Sequence, residues 1–431
     1  MTLRSVAHLA LAGMLTAGAA QAADRHLGVA SCAGSACHGA AKLAGANVRQ
    51  DEYLIWQRKD RHAQAHATLR SDRSRRIAAN LGLGDATGAP MCLVCHADAV
   101  PAGQRGGRFQ LSDGVGCETC HGASERWFTP HTRGYASHKE RLAGGLYPTW
   151  EPAARAALCL SCHQGDAQRP MTHAIMGAGH PALLFELDTF GALQPAHYDA
   201  DADYVRRKGK PQNARTWAVG QVAAARGLVG GLAAIPDSGL FPELAWFSCN
   251  ACHHPMQPLR WEAEPAIGLP PGRVRLADTA LHSVALWLEV VKPELANRWR
   301  AELRALHQAS QGSAGELRER AQFAQKLLES EVLPLASQHE ASKAQLRQLV
   351  LQIIDGAAGP RAADFAIAEQ AAMATAVLVT ALEAAGTPAP KSVSAAIDAV
   401  YQAVAERERY EPAKMRQALA QARTEIAKAY K

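Results

Sequence analysis

The stretch Gly114-Val-Gly-Cys117-Glu-Thr-Cys120-His121-Gly122 contains two cysteines that are separated by two residues and followed at once by histidine. The same arrangement recurs along the first 260 residues and uses all ten cysteines of the 431-residue chain. In order, the pairs are Cys32 and Cys37 before His38, Cys92 and Cys95 before His96, Cys117 and Cys120 before His121, Cys159 and Cys162 before His163, and Cys249 and Cys252 before His253. Four pairs enclose two residues, and the first encloses four small ones.

Cys-x-x-Cys-His is the attachment signature of c-type haem. The two thiols add to the porphyrin vinyl groups, and the imidazole of the next residue lies beneath the iron as the proximal ligand. A disulfide framework or zinc ribbons would explain the cysteine pairs but not the histidine after every pair. The sequence therefore predicts five covalently attached haem c groups. For the first pair, a small Cys32–Cys37 disulfide loop is the alternative.

The second axial ligand of each haem is expected to be a histidine. Besides the five proximal residues, ten histidines lie between His26 and His282, whereas methionine is scarce there. Paired histidines give lower reduction potentials than a histidine with a methionine. The predicted distal ligands are His62, His131, His173, His180 and His197. For the fifth position, His138, His254 and His282 compete with His197, and one five-coordinate haem is a further alternative.

The predicted domain organisation starts with a signal peptide at residues 1–22. Arg4 is followed by a short apolar run and by the small-residue cleavage site Ala20-Gln21-Ala22, which is typical of export to the periplasm. The run is shorter than the ~20 residues of a spanning helix, and no later segment is expected to reach that length. Residues 23–275 form the predicted five-haem domain, and residues 276–431 form the predicted helical bundle domain.

The predicted fold is mainly α. Short helices that carry the motifs, joined by irregular loops, are expected around the haems, with one helix over 52–69 and a long excursion over 209–247. From Asp278, which is expected to cap a helix, apolar residues recur at helical spacing. The predicted helices of this antiparallel bundle run over 278–306, 316–333, 343–354, 362–385, 392–407 and 412–430. The bundle either caps one flank of the haems or docks a partner.

The charge balance argues against a nucleic-acid partner. The chain carries a formal net charge of +6, and removal of Arg4 with the signal peptide leaves +5. Each haem adds about −1 when ferric and about −2 when ferrous, once its propionates ionise. The mature protein with five haems would then lie between zero and about −5.

Residues 28–260 resemble the cytochrome c-554 type multihaem proteins. The similarity is carried by Tyr53-x-x-Trp56 with Asp60-x-His62-Ala63, by Cys92-Leu-Val-Cys95-His96-Ala97, by Gly114 to Gly122, and by Ala178-Gly-His180-Pro181 with Phe185-Glu-Leu. The resemblance implies that His62 and His131 occupy positions of distal ligands. The chain differs from that family in having five motifs rather than four, and the C-terminal helical region lies outside the resemblance.

The leading functional hypothesis is electron transfer between redox protein partners through closely spaced haems. The alternative is an oxidoreductase that acts on a small nitrogen or sulfur compound at a five-coordinate haem with nearby acid–base groups. A third hypothesis is an assembly subunit whose helical domain docks a membrane or catalytic partner. The sequence specifies neither the partners nor the oligomeric state.

Overall fold

The described part of the chain is almost entirely helical. The computed structural model describes residues 23–42, 49–134, 137–235, 243–254, 264 and 267–431. The predicted signal peptide lies outside these residues. Within them no strand forms, and extended pairing is limited to isolated bridges such as that between His26 and Arg105. The prediction of a mainly α fold is confirmed.

Short helices dominate the half of the chain that holds the cysteine pairs. They are α1 (Glu52–Lys59), α2 (Ala65–Thr68), α3 (Asp72–Asn80), α4 (Pro90–His96), α5 (Cys117–His121), α6 (Glu125–Thr132), α7 (His138–Ala143), α8 (Pro152–His163), α9 (His173–Gly177), α10 (Leu187–Leu193), α11 (Ala202–Lys208) and the longer α12 (Asn213–Ala233). Short 3-10 turns lie at Val29–Ser31, Arg61–Gln64, Ala102–Gln104, Leu111–Asp113, Leu244–Trp246 and Cys249–Ala251. Helices α4, α5 and α8 each end on the histidine of a motif.

Longer helices follow from Thr279 onward. They are α13 (Thr279–Val291), α14 (Pro293–Ala309), α15 (Ala314–Leu327), α16 (Leu333–Gln338), α17 (Lys343–Ala358), α18 (Phe365–Ala384), α19 (Lys391–Ala403) and α20 (Pro412–Ala429). A π-helical turn, Leu328–Val332, joins α15 to α16. It lies just before Pro334, which has no backbone N–H to donate to a regular helical bond. Turns at Pro360–Ala363 and Arg407–Arg409 complete this half.

The helix predicted over 52–69 is interrupted at Asp60. This residue has an extended backbone, and its carboxylate accepts a hydrogen bond from the backbone N–H of His62. Because an aspartate in this conformation caps a new helical segment, the chain ends α1 and starts the turn Arg61–Gln64 instead of continuing. The break sets the direction of the His62 side chain.

One large apolar core joins the C-terminal helices to α8, α10 and α12. Trp217 and Trp299 are fully buried in it. The predicted excursion over 209–247 is therefore wrong for its first part, since α12 runs through the core. Its glycines are needed for close packing: a Cβ on Gly220 would approach Leu187 to 2.7 Å, and one on Gly231 would approach the Trp246 ring to 2.9 Å.

Around the cysteine pairs the apolar core is small. Leu69, Ala78 and Ala86 form a separate cluster, against which Leu83, Cys92 and Leu93 pack. A region of this length would ordinarily bury far more apolar surface. The interior of this half therefore depends on something other than its own side chains.

Helix α18 is long and apolar enough to cross a membrane by length and composition. It has 20 residues with a mean hydropathy of 1.6. The expectation that no later segment reaches spanning length is thus wrong. However, 67% of its apolar window is buried among the other helices, which is the pattern of a core helix in a globular domain.

Asp278 precedes α13 as predicted, but its side chain makes no capping hydrogen bond. The residue is 1% exposed, and its carboxylate faces Arg275, Arg361 and His307 instead. The capping expectation is wrong because Arg275 and Arg361 attract the carboxylate more strongly than the end of the helix.

Candidate haem-binding sites

Each of the five predicted proximal histidines faces one of the five predicted distal histidines. The ring centres are separated by 5.9 Å for His38 and His131, 6.3 Å for His96 and His180, 6.1 Å for His121 and His197, 6.0 Å for His163 and His62, and 6.2 Å for His253 and His173. We number these pairs as sites 1 to 5, in the order of the cysteine pairs. Every histidine of the set is used once.

The spacing of the rings matches two imidazoles on opposite sides of one metal ion. A metal–imidazole bond is about 2 Å and the ring centre lies about 1 Å behind the nitrogen, so two opposed ligands place their ring centres about 6 Å apart. The angle between the ring planes varies widely, from 8° in site 1 to 89° in site 4. Similar distances with variable angles are expected for ligands that rotate about a shared axis.

Four of these imidazoles have Nδ1 within hydrogen-bond distance of an oxygen. The contacts are His38 with the Glu52 carboxylate at 3.0 Å, His62 with the Asp60 carboxylate at 2.8 Å, His96 with the Ala65 carbonyl at 3.0 Å, and His180 with the Pro181 carbonyl at 2.8 Å. A metal-ligating histidine commonly donates its other ring nitrogen in this way, which sets the tautomer and the ring orientation. Nε2 is then left with its lone pair available to bind a metal.

Burial keeps two proximal imidazoles neutral. It lowers the pKa of His121 to about 4, and the facing His197 adds to the shift. Burial likewise lowers the pKa of His163 to about 4, with a contribution from His62. A neutral imidazole is the form that binds a metal. Both residues are therefore ready to act as ligands at neutral pH.

Carboxylates raise the pKa of two other imidazoles, those of His38 and His62. The hydrogen bond to Glu52 raises the pKa of His38, and the hydrogen bond to Asp60 raises the pKa of His62. A carboxylate behind a ligating imidazole makes it a stronger donor. Neither carboxylate was identified from the sequence, although Asp60 lies within the segment that carries the resemblance.

The cysteines are all free thiols, including Cys32 and Cys37. Thiols of different pairs lie against one another. The Cys32 thiol shares a hydrogen bond with that of Cys117, which together with burial raises the pKa of Cys117. In the same way, Cys95 shares a hydrogen bond with Cys162. Sites 1 and 3 are thus in contact, and so are sites 2 and 4.

The fifth cysteine pair differs from the second, third and fourth pairs in exposure and in local structure. Cys249 and Cys252 are both exposed, as is His253, whereas the thiols of those three pairs are half-buried. The expectation of short helices that carry the motifs is met at the second, third and fourth motifs, but not at the first, whose residues 32–38 form turns and irregular backbone, nor fully at the fifth. Cys252 leaves the helical region of backbone angles, so the segment forms only the 3-10 turn Cys249–Ala251. Haem attachment at Cys249 and Cys252 stays a prediction, supported by the facing His173.

Sites 3 and 4 are also neighbours. Burial raises the pKa of the Cys120 thiol to about 12, and the next largest contribution comes from Cys159. Site 5 is connected to site 2 through one short segment, because α9 begins at His173 and the chain reaches His180 just beyond its end. Glu243 holds this helix by accepting from the backbone N–H of His173 at 2.7 Å.

Glu118, inside the third motif, connects sites 1 and 3. The residue is 4% exposed, and its carboxylate accepts from the backbone N–H groups of Leu27 and Gly28 at 2.8 and 2.7 Å and from that of Ser124 at 2.8 Å. It thereby anchors the segment that leads into the first cysteine pair. A carboxylate between the two cysteines was the only sequence signal for this role.

The other candidates for the fifth distal position lie elsewhere. The His138 ring packs on Trp150 with a centre-to-centre distance of 4.7 Å. His282 lies on α13 against Gly356 of α17, among the C-terminal helices. His254 follows the fifth motif directly, and the ring that faces His253 is that of His173. Of the four candidates, His197 is the one that faces a proximal histidine.

Residues 26–122 match the family model of cytochrome c554 and c-prime. This segment contains the first three cysteine pairs. It is shorter than residues 28–260, the range of the resemblance to the cytochrome c-554 type proteins. Comparison with curated proteins and with solved structures gives no match. The site geometry and the family match together define a c-type cytochrome segment, one that binds haem c covalently and takes part in electron transfer.

The residues present fit haem c. Each site offers two thiols that are free to form thioethers and two opposed imidazoles, while the sparse apolar core leaves the interior to be completed by a large flat group. No group of three or more histidines, cysteines or carboxylates that could hold a bare metal ion occurs among the described residues. The iron of a haem needs only two protein ligands, because the four porphyrin nitrogens supply its other ligands.

Proposed function

We propose that this chain is a periplasmic five-haem cytochrome c that transfers electrons between redox protein partners, with every iron ligated by two histidines. The observation that carries the proposal is the one-to-one matching of the five histidines that follow cysteine pairs with five others, all at 5.9 to 6.3 Å. The family match covers three of the five pairs, so the fourth and fifth sites rest on motif and geometry.

When bound, haem iron supplies the one-electron couple between the ferric and ferrous states. The chain's own residues orient the ligands and adjust their donor strength. Glu52 and Asp60 accept hydrogen bonds from the ligands of sites 1 and 4, which favours the ferric state there. At site 2 the acceptor is the Ala65 carbonyl, a weaker influence because it carries no net charge.

The contacts between cysteine thiols support a particular order in which electrons pass from one haem site to the next. Site 1 meets site 3 through Cys32 and Cys117, and site 2 meets site 4 through Cys95 and Cys162. With the neighbouring Cys120 and Cys159 joining sites 3 and 4, the order becomes 1–3–4–2. Site 5 then continues from site 2 through α9.

The helical domain serves as a cap on the flank of sites 4 and 5. Helix α8, which ends on His163, contributes Ala156 and Leu160 to the large core. Ser248, directly before the fifth cysteine pair, donates to Asp364 of the helical domain at 2.7 Å. This domain therefore supports the ligand-bearing segments from behind.

The oxidoreductase alternative needs an iron with an open axial position. Across the described residues, each histidine that follows a cysteine pair has a facing imidazole. This arrangement favours electron carriage over catalysis on a small substrate.

The test is haem stoichiometry and spin state in the mature protein. Mass spectrometry of the periplasmic fraction should show a chain that starts after Ala22 and carries five covalent haems. Electron paramagnetic resonance of the oxidised protein should show low-spin signals only. His197→Ala should create one high-spin haem, while the matched control His138→Ala should not. Fewer than five haems, or a high-spin signal in the unmodified protein, would contradict the proposal.

A further inference from the structure

Residues 70–76, Arg-Ser-Asp-Arg-Ser-Arg-Arg, form the start of α3 and the turn before it. They contain four arginines and one aspartate, a formal charge of +3 within seven residues, whereas the whole chain carries +6. All four arginine side chains are exposed. We call the set Arg70, Arg73, Arg75 and Arg76 the arginine face.

Helix α3 contacts the segments that carry both histidines of site 2. On the proximal side, its Ala78 belongs to the small apolar cluster that contacts Cys92 and Leu93 of the second motif. On the distal side, Arg73 donates to the carbonyl of Gly179 at 2.8 and 3.1 Å, beside the ligand His180. The helix therefore contacts segments on both sides of site 2.

The positive charge of this face is only partly compensated. Arg75 pairs with Asp72, and Arg73 is engaged with a neutral carbonyl. In the described part of the chain, Arg70 and Arg76 form no ion pair. Asp85 is the neighbouring exposed carboxylate: hydrogen bonds from Thr87 lower its pKa, with a smaller contribution from Arg70.

An exposed apolar side chain lies beside the second motif. Met91, directly before Cys92, is 46% exposed and is one of the few large apolar residues at the surface of the described chain. Small, transient interfaces of redox proteins bury little area. Charge surrounding such a surface speeds the encounter with a partner of opposite sign.

We propose that the arginine face docks an acidic redox protein, which exchanges a single electron with the iron of site 2. This inference rests on the proposed function. In the reducing direction the partner loses one electron and the ferric iron gains it, and no covalent bond is made or broken.

The test uses the full holoprotein and two reductants in stopped-flow mixing. Reduced plant-type ferredoxin is the acidic protein probe, and hexaammineruthenium(II) is a small cationic one. In Arg70→Glu/Arg76→Glu, which spares the contact of Arg73, the second-order rate constant with ferredoxin should fall at least about tenfold at low ionic strength. The difference should shrink at about 1 M salt, where the screening length is near 3 Å. The rate with the cationic reductant should stay unchanged or rise.

The matched control is Lys391→Glu/Arg416→Glu, which makes the same charge change at exposed positions of α19 and α20. It should react with ferredoxin like the unmodified protein. Equal slowing in both double variants would show a net-charge effect and overturn the assignment of the face.

Two further outcomes would overturn the docking proposal. A changed haem spectrum or altered potentials in Arg70→Glu/Arg76→Glu would mean that these arginines hold haem propionates. A changed oligomeric state in sedimentation would mean that the face contacts a second copy of the chain. Absence of haem from the unmodified protein would instead be a failure of the proposed function, and it is seen before any rate is measured.

Discussion

Replacing Arg275 with methionine would remove one cation from a deeply buried group of charges between the fifth cysteine pair and the helical domain. Arg275 is 6% exposed. Its guanidinium pairs with Asp364, lies 3.7 Å from Asp278 and donates to the Ser248 hydroxyl at 3.2 Å. Methionine preserves much of the side-chain volume, so the change acts mainly on charge.

The expected magnitude follows from the burial of the partners. Asp278 and Asp364 are 1% and 5% exposed. Burial disfavours ionisation of Asp278, but Arg275 and Arg361 outweigh it and hold the pKa of Asp278 well below its usual range. Without Arg275, Asp278 and Glu264 keep Arg361 as a partner, whereas Asp364 loses the arginine with which it pairs. Because removal of one partner of a buried pair costs about 3–5 kcal/mol, a loss of that size in the free energy of unfolding is expected.

The assay is urea unfolding of the holoprotein, followed by far-ultraviolet circular dichroism. Arg423→Met is the control, because its pair with Asp355 is about half exposed on both sides and exposed pairs contribute little. Arg275→Met/Asp364→Leu should recover part of the loss, since replacing both partners by apolar residues is often neutral. A loss below about 1 kcal/mol in Arg275→Met, or a double variant no more stable than the single one, would refute the reasoning.

Three further changes have defined expectations. Glu118→Ala leaves the backbone N–H groups of Leu27, Gly28 and Ser124 without their acceptor and should lower the free energy of unfolding by about 2–4 kcal/mol, measured by urea titration; no loss would show that Glu118 is not an anchor. Asp60→Asn makes His62 a weaker electron donor to the iron, so the reduction potential of one haem should rise. The rise should be on the order of 60 mV for each tenfold loss of affinity for ferric relative to ferrous iron, measured by potentiometric titration. Asp355→Asn is the control and should leave every potential unchanged. Burial lowers the pKa of His282 to about 3, against about 6.5 unfolded, so the folded state binds fewer protons and stability falls as the pH drops from 6.5 toward 3. His282→Gln should flatten that decline in unfolding experiments at pH values from 7 to 4, and an unchanged slope would contradict the assignment.

Most of the C-terminal helices could be located closely from the sequence, because local signals mark their ends. The single helix predicted over 278–306 is wrong, because the backbone leaves the helical conformation at Lys292 and a new helix, α14, begins at Pro293. The helix predicted over 412–430 is observed as Pro412–Ala429, with proline in the first turn where its missing N–H is harmless. Helix α12 was missed for a tertiary reason. Its glycines disfavour an isolated helix, yet Gly220 and Gly231 allow neighbouring groups to approach where any side chain would clash.

The break at Asp60 shows a similar limit. The local pattern favours one continuous helix, whereas the Asp60 carboxylate caps the next segment and also binds the ring of His62 at 2.8 Å. The reach of that one side chain decides where the helix ends and where a candidate ligand points.

The sequence by itself predicted the covalent chemistry, because cysteine spacing and the adjacent histidine are local features that act within a few residues. Only the tertiary structure decided which distant histidine faces each of them, as in His163 with His62 and His121 with His197. Such pairs are brought together by the packing of separate segments, so no local pattern encodes them. The same holds for the buried charges behind the fifth site, which meet only when the helical domain closes over the chain that leads into Cys249.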